Sequence, residues 1–154
     1  MLSWDRAGEI AEDLHRRGRT LVFTNGCFDI LHPGHVDLLR RCSDLGDRLF
    51  VGLNSDGSVA GLKGEGRPVN PLASRAAVLE AVRWVDHVVP FAQPTPAELI
   101  ELLQPDVLVK GGDYAPGEVV GRETVEASGG RVVVVPLLPG YSTTGLLERI
   151  RSGS

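Results

Sequence analysis

The run Thr24-Asn25-Gly26-Cys27-Phe28-Asp29-Ile30-Leu31-His32-Pro33-Gly34-His35 constrains this chain more than any other stretch. A short apolar segment, Leu21-Val22-Phe23, precedes it, and an amphipathic segment, Val36 to Leu45, follows. That order reads as a strand, a turn of small and polar residues, and a helix N-terminus. The unpaired N–H groups of a helix N-terminus carry roughly half a positive charge, so phosphates settle there. His32 and His35 fall on one side of such a turn, and Gly34 between them keeps a side chain out of a ligand's path. Two ring donors over a phosphate site suit charge growing on a phosphorus centre, so the stretch points to nucleotide chemistry.

Strand and helix patterns alternate along the rest of the chain. Helices are expected over Ser3 to Arg17, His35 to Gly46, Asn70 to Val82, Thr95 to Gln104, Gly121 to Ala127 and Ser142 to Ile150. Asn70-Pro71 and Thr95-Pro96 each read as a cap followed by a first-turn proline. Strands are expected over Leu21 to Phe23, Arg48 to Leu53, His87 to Val89, Val107 to Val109 and Arg131 to Val135. Asn54 to Val69, with four glycines and Pro68, reads as a loop, and 151–154 as a frayed tail. The alternation makes βαβ units, hence an α/β fold with a doubly wound, Rossmann-like, parallel five-stranded sheet. One domain over 1–154 is expected, with residues 1–18 as a helical extension. Ligands of such sheets bind beyond the carboxyl ends of the strands, where 24–35, 54–67, 110–114 and 136–144 all fall.

A net charge of −4 with no basic run argues against a nucleic-acid partner. Met1-Leu2-Ser3-Trp4-Asp5 lacks the charged and apolar regions of a leader. The longest apolar run, Val132 to Leu138, is too short for a bilayer, so no membrane partner and a cytoplasmic setting are expected. Cys27 and Cys42 have no metal-ligand spacing and read as reduced thiols. A protein-bound metal at the histidines would need Cys27 or Asp29 as well, and no metal site is expected.

Outside the central run, Lys63 in Gly61-Leu62-Lys63-Gly64-Glu65-Gly66 is either a solvated lysine or a cation on a mobile flap. Arg75, in the otherwise apolar stretch Leu72 to Val82, is either a salt-bridged surface arginine or a phosphate-binding fork. Lys110-Gly111-Gly112-Asp113 is an ordinary turn or a backbone cradle for ribose and base. Ser142-Thr143-Thr144 caps a helix and offers hydroxyls at a second anion-binding N-terminus.

Asn25-Gly26-x-Phe28-Asp29-x-x-His32-x-Gly34-His35, together with Ser142-Thr143-Thr144, resembles the HxGH nucleotidyltransferase superfamily, which includes glycerol-phosphate and phosphocholine cytidylyltransferases. Three further segments, Val51-x-x-Asn54-Ser55-Asp56, Leu62-Lys63-Gly64-x-x-Arg67-Pro68-Val69-Asn70-Pro71-Leu72 and Leu108-Val109-Lys110-Gly111-Gly112-Asp113-Tyr114, resemble the bacterial D-glycero-D-manno-heptose 1-phosphate adenylyltransferase family. The resemblance implies the HxGH nucleotidyltransferase fold, with ATP as a substrate, Mg²⁺, and AMP transfer to the sugar 1-phosphate to give ADP-heptose and pyrophosphate. It implies catalytic roles for His32, His35, Lys63 and Arg75. It places nucleotide at Asn25, Gly26, Cys27, Phe28, Gly34, His35, Gly111, Asp113, Ser142 and Thr143, and acceptor at Asp29, Asn54, Asp56 and Lys63. A homodimer is implied, and, since many relatives carry a sugar-kinase domain that these 154 residues lack, a separate upstream heptose kinase. A cytidylyltransferase for a small polyol or amino-alcohol phosphate is the alternative enzyme. The absence of arginine from Leu137-Leu138-Pro139-Gly140 weighs against it. A non-catalytic nucleotide-binding module is the alternative outside enzymes, although nothing in binding alone requires both histidines.

Overall fold

The computed structural model describes residues 1–153. Five apolar segments pair as parallel strands: β1 (Leu21–Gly26), β2 (Arg48–Asn54), β3 (His87–Phe91), β4 (Val107–Gly111) and β5 (Arg131–Val135). Their order across the sheet is β3-β2-β1-β4-β5. The helices are α1 (Trp4–Arg16), α2 (Pro33–Ser43), α3 (Asp56–Lys63), α4 (Leu72–Glu80), α5 (Ala97–Leu103), α6 (Arg122–Ala127) and α7 (Thr143–Ser152).

Alternation along the strands divides the apolar residues between two cores. Val22, Val51 and Val109 pack with Leu38, Leu39 and Leu79 of α2 and α4. Phe23, Phe50 and Leu108 pack with Ala7, Ile100 and Val125 of α1, α5 and α6 on the opposite face. Helices on both faces make the sheet doubly wound, as the alternation of segments predicts.

The chain winds outward from β1 through β2 to β3, then crosses to β4 on the other side, so direction reverses between β1 and β4. There the ladder is short. β1 pairs with β4 only at Val22–Val107 and Phe23–Leu108, whereas its ladder with β2 continues to Gly26. Beyond Phe23 the two central strands part, and the parting opens a crevice at the carboxyl end of the sheet. At the opposite rim, the carboxylates of Asp47, Asp106 and Asp86 accept the N–H groups of Thr20, Leu21 and Leu49 where the strands begin.

The structure corrects several expectations. Asn54 to Val69 is not all loop: α3 begins at Asp56, capped by Ser55, whose hydroxyl accepts the N–H of Ser58, and it buries Val59 against the core. Gly57 and Gly61 have open space around them and lower helix propensity without preventing the helix. Pro71, not Asn70, occupies the N-cap of α4, because Asn70 is turned toward Asp29. Pro96 takes the same place at α5, and His32 precedes α2 with Pro33 at its first turn. The last helix continues through Ser152, so Arg151 and Ser152 are helical rather than frayed; Ser154 lies outside the described residues.

Leu39 is fully buried between α2 and the sheet. Leu39→Ala is expected to lower unfolding free energy by about 2–5 kcal/mol, read as a lower urea midpoint with unchanged slope. A loss well under 1 kcal/mol would mean that the space between α2 and the sheet is not close-packed.

Candidate active site

A cavity of about 600 Å³ occupies the crevice beyond the strand ends, a size suited to a nucleotide-sized ligand. Asn25, Gly26, Cys27 and Phe28 line it from the end of β1, and Gly34, His32 and His35 from the start of α2. Asn54, Lys63 and Arg67 line the β2 side, Lys110, Gly111 and Tyr114 the β4 side, and Tyr141 to Thr144 the approach to α7. Pro94 to Pro96 line it after β3, so loops following all five strands meet at one mouth.

The two imidazoles stack, with ring centroids 3.8 Å apart and planes 24° from parallel. A Cβ on Gly34 would lie 3.0 Å from the His32 ring, so this glycine makes room for the histidine rather than for a ligand. Phe28, at φ +42°, leans its ring on His35 at 5.2 Å. That left-handed backbone strains a residue with a side chain, and the packing of the turn holds it there. Burial, with a smaller contribution from adjacent His32, pushes the His35 imidazolium down to about 4. Burial also lowers His32. Both rings are therefore neutral near pH 7. Among the described residues the buried Nδ1 atoms of both have no hydrogen-bond partner, an arrangement that leaves polar capacity for a ligand.

Asp29 holds the turn to the segment that follows α3. Its carboxylate accepts Arg67 Nε at 2.7 Å, Val69 N at 2.9 Å and Asn70 N at 2.8 Å, and Asn70 Nδ2 returns a bond to its carbonyl. Burial acts to raise the carboxyl, but the Asn70 and Val69 N–H groups and Arg67 together outweigh it and hold it below the usual carboxylate range. Asp29 also lines the cavity, with Oδ1 engaged by one N–H and Oδ2 by two donors.

Arg75 is neither a surface residue nor a free fork. It is 1% exposed and does not line the cavity. Its guanidinium donates to Asn70 O at 3.0 Å, Cys27 O at 2.7 Å and Asp56 Oδ1 at 2.7 Å. All three of its nitrogens are engaged, so Arg75 ties together the turn after β1, the start of α3 and the start of α4. Asp56, turned to Arg75, is likewise outside the cavity wall. Asp113 is exposed and outside it too; Gly112, at φ +133°, redirects the chain so that Tyr114 lines the mouth instead. Ser142 caps α7 by accepting Gly145 N at 3.0 Å, while Thr143 and Thr144 also line the cavity.

Sequence reasoning gave no role of their own to Arg67, Lys110, Tyr114 and Tyr141, all of which line the cavity. Lys110 had a readable signal: a lysine ending the apolar run Val107-Leu108-Val109. Arg67 had none, since its place depends on Asp29, distant in the chain.

The family profile described as Cytidylyltransferase-like matches residues 23–147. The chain is 59% identical over 135 residues to Bifunctional protein HldE of Halorhodospira halophila, covering 88% of this chain and 28% of that protein. It is 55% identical over 150 residues to the protein of the same name in Geotalea uraniireducens, covering 97% of this chain and 31% of that protein. The chain thus spans under a third of the length of these curated relatives. Among solved structures, the lipopolysaccharide core biosynthesis protein of Thermoplasma volcanium superposes with a TM-score of 0.64 at 27% identity, covering 79% of this chain and 98% of that one.

The neutral histidines give a pH test. An unfolded histidine titrates near 6.5 and folded His35 near 4, so between these values the unfolded chain binds more protons. The contribution is fully present above that window and is lost as pH falls from 6.5 toward 4. Urea midpoints measured across this range are expected to drop on acidification, and His35→Gln to flatten part of that slope. An unchanged slope in the variant would rule out His35 as one of its sources.

Proposed function

Because the chain belongs to the cytidylyltransferase-like family, we propose that it is a nucleotidyltransferase that moves AMP from ATP to D-glycero-D-manno-heptose 1-phosphate, yielding ADP-heptose and pyrophosphate. The observation that carries the reaction class is the stacked pair of neutral histidines with unpartnered nitrogens, facing a cavity that Lys63, Arg67 and Lys110 also line. The choice of sugar rests on the resemblance of segments 51–56, 62–72 and 108–114 to heptose 1-phosphate adenylyltransferases. The similarity to a lipopolysaccharide core biosynthesis protein agrees with an activated-sugar product.

An oxygen of the acceptor phosphate attacks the α-phosphorus in line. A P–O bond forms there as the bond to the bridging oxygen breaks, and the electron pair leaves with pyrophosphate. The nucleophile is already anionic, so catalysis is positioning and charge stabilisation. His32 and His35 donate ring N–H groups to phosphate oxygens as negative charge accumulates. Lys63 at the end of α3 neutralises the reacting phosphates, and Arg67, oriented by Asp29, adds a second cation. The backbone of Asn25 to Phe28 cradles the triphosphate, with Gly34 admitting the His32 ring beside it. Ser142 and Thr143 hold its distal end at the α7 N-terminus, and Gly111 with its neighbours borders the ribose and base.

Arg75 is a positioning residue here, and Asp56 acts through it. Mg²⁺ would be carried by the triphosphate as part of the substrate, since no group of three or more His, Cys, Asp or Glu among the described residues is placed to hold a metal ion. The same proposal includes a heptose kinase as supplier of the acceptor, a homodimer, and a cytoplasmic setting. Among the described residues no helix is long and apolar enough to cross a membrane.

Pyrophosphate release with ATP or CTP, against heptose 1-phosphate of either anomer and glycerol 3-phosphate, tests the reading. Release with ATP and a heptose phosphate is expected; release only with CTP and glycerol 3-phosphate would overturn the substrate. His35→Ala is expected to lower turnover by about 10²–10³ with ATP affinity retained, as for loss of one preorganised donor. Near-normal turnover in that variant would remove His35 from the chemistry.

A further inference from the structure

The cavity floor has two sides, because side chains alternate along each strand. Phe23, Phe50 and Leu108 pack toward α1 and α5, so Asn25, Asn54 and Lys110, an even number of residues further along β1, β2 and β4, face the same way. Val134, the cross-strand partner of Lys110, packs against that same core. Gly111 faces the other side, where a Cβ would lie 3.0 Å from Leu38 of α2. The histidines begin α2, so they and the row of Asn25, Asn54 and Lys110 flank the cavity from opposite faces of the sheet.

The Lys110 ammonium is half-buried, and no carboxylate among the described residues pairs with it. Burial pushes it below the usual lysine value, the Cys27 sulfur opposes that shift, and nearby Lys63 adds to it. Its recorded contact is the Tyr114 ring, 5.4 Å away. The carboxylate that lines the cavity, Asp29, is committed to Arg67. A partly desolvated cation beside a second cation is unfavourable until an anion arrives. Asn54 adds a directed acceptor: its Nδ2 donates to Ser58 Oγ at 2.9 Å, which fixes the amide and leaves its oxygen for a hydroxyl.

The geometry points to an acceptor subsite on the α5 side of the sheet, in which Lys110 holds the acceptor's phosphate while Asn25 and Asn54 read its hydroxyls. This inference rests on the nucleotidyl-transfer reading above, which needs two phosphates brought together, and it separates them. The triphosphate lies on the histidine side and the incoming phosphate on the lysine side, with Lys63 between.

The test compares wild type with Lys110→Met and Lys110→Arg, using pyrophosphate release with acceptor varied and calorimetric titration of ATP. The Met variant is expected to raise the apparent constant for the acceptor about ten- to a hundredfold, the weight of one charge-assisted hydrogen bond, with ATP affinity unchanged. The Arg variant is expected to recover part of that loss. Lys110→Gln replaces the Met variant if the latter fails to fold. Weakened ATP binding with the acceptor constant intact would overturn the subsite, as would wild-type values for both. Should wild type use glycerol 3-phosphate instead, the heptose reading fails while Lys110 is scored on that acceptor. Should it release no pyrophosphate with any acceptor, inorganic phosphate is titrated into the ATP-saturated proteins. Weaker phosphate binding by the Met variant then supports the lysine's role, and equal binding refutes it.

Discussion

Asp29 uses both carboxylate oxygens to fasten the turn after β1 to the segment between α3 and α4. Without that clasp the cavity would lose a wall, because Arg67 takes its direction from Asp29 and Asn70 in turn accepts from Arg75. Charge-assisted hydrogen bonds of this kind contribute about 1.5–3 kcal/mol each before the cost of burying the charges is subtracted. Their larger effect is positional. Arg75 joins Cys27, Asn70 and Asp56, so the turn after β1 and the helix carrying Lys63 share one buried guanidinium. The site is assembled from loops, yet it is braced internally.

The histidine pair shows how packing sets chemistry in such a frame. Two imidazoles stacked at 3.8 Å repel one another when both are protonated, and burial disfavours even the first proton. Neutral rings can donate hydrogen bonds without placing full positive charge in the cavity. Full charges come instead from lysine and arginine on other elements. Donors and cations are thus provided by separate structural sources.

The architecture was readable because apolar runs and helical faces alternate along the whole chain, and the strand positions followed from Leu21-Val22-Phe23, Val107-Leu108-Val109 and their counterparts. The location of the cavity followed from the topology as well. Helix α3 escaped notice because Gly57, Gly61, Gly64 and Gly66 mimic a loop, although Ser55 and Val59 carry its cap and its buried face. Arg75 was visible as an isolated charge in an apolar helix. Its partners Cys27 and Asp56 are remote in the chain, so whether it faced phosphate or protein could not be read locally. Asp56 and Asp113 look like ligands by type and by neighbouring residues; their direction is set by Arg75 and by the turn at Gly112.

The strand-start carboxylates act locally. Asp47 and Asp86 pair with Arg19 and Arg48 as well as accepting strand N–H groups, so that rim balances its own charge. Lys63 and Lys110 lie at the crevice instead, so positive charge gathers where the strands end rather than where they begin.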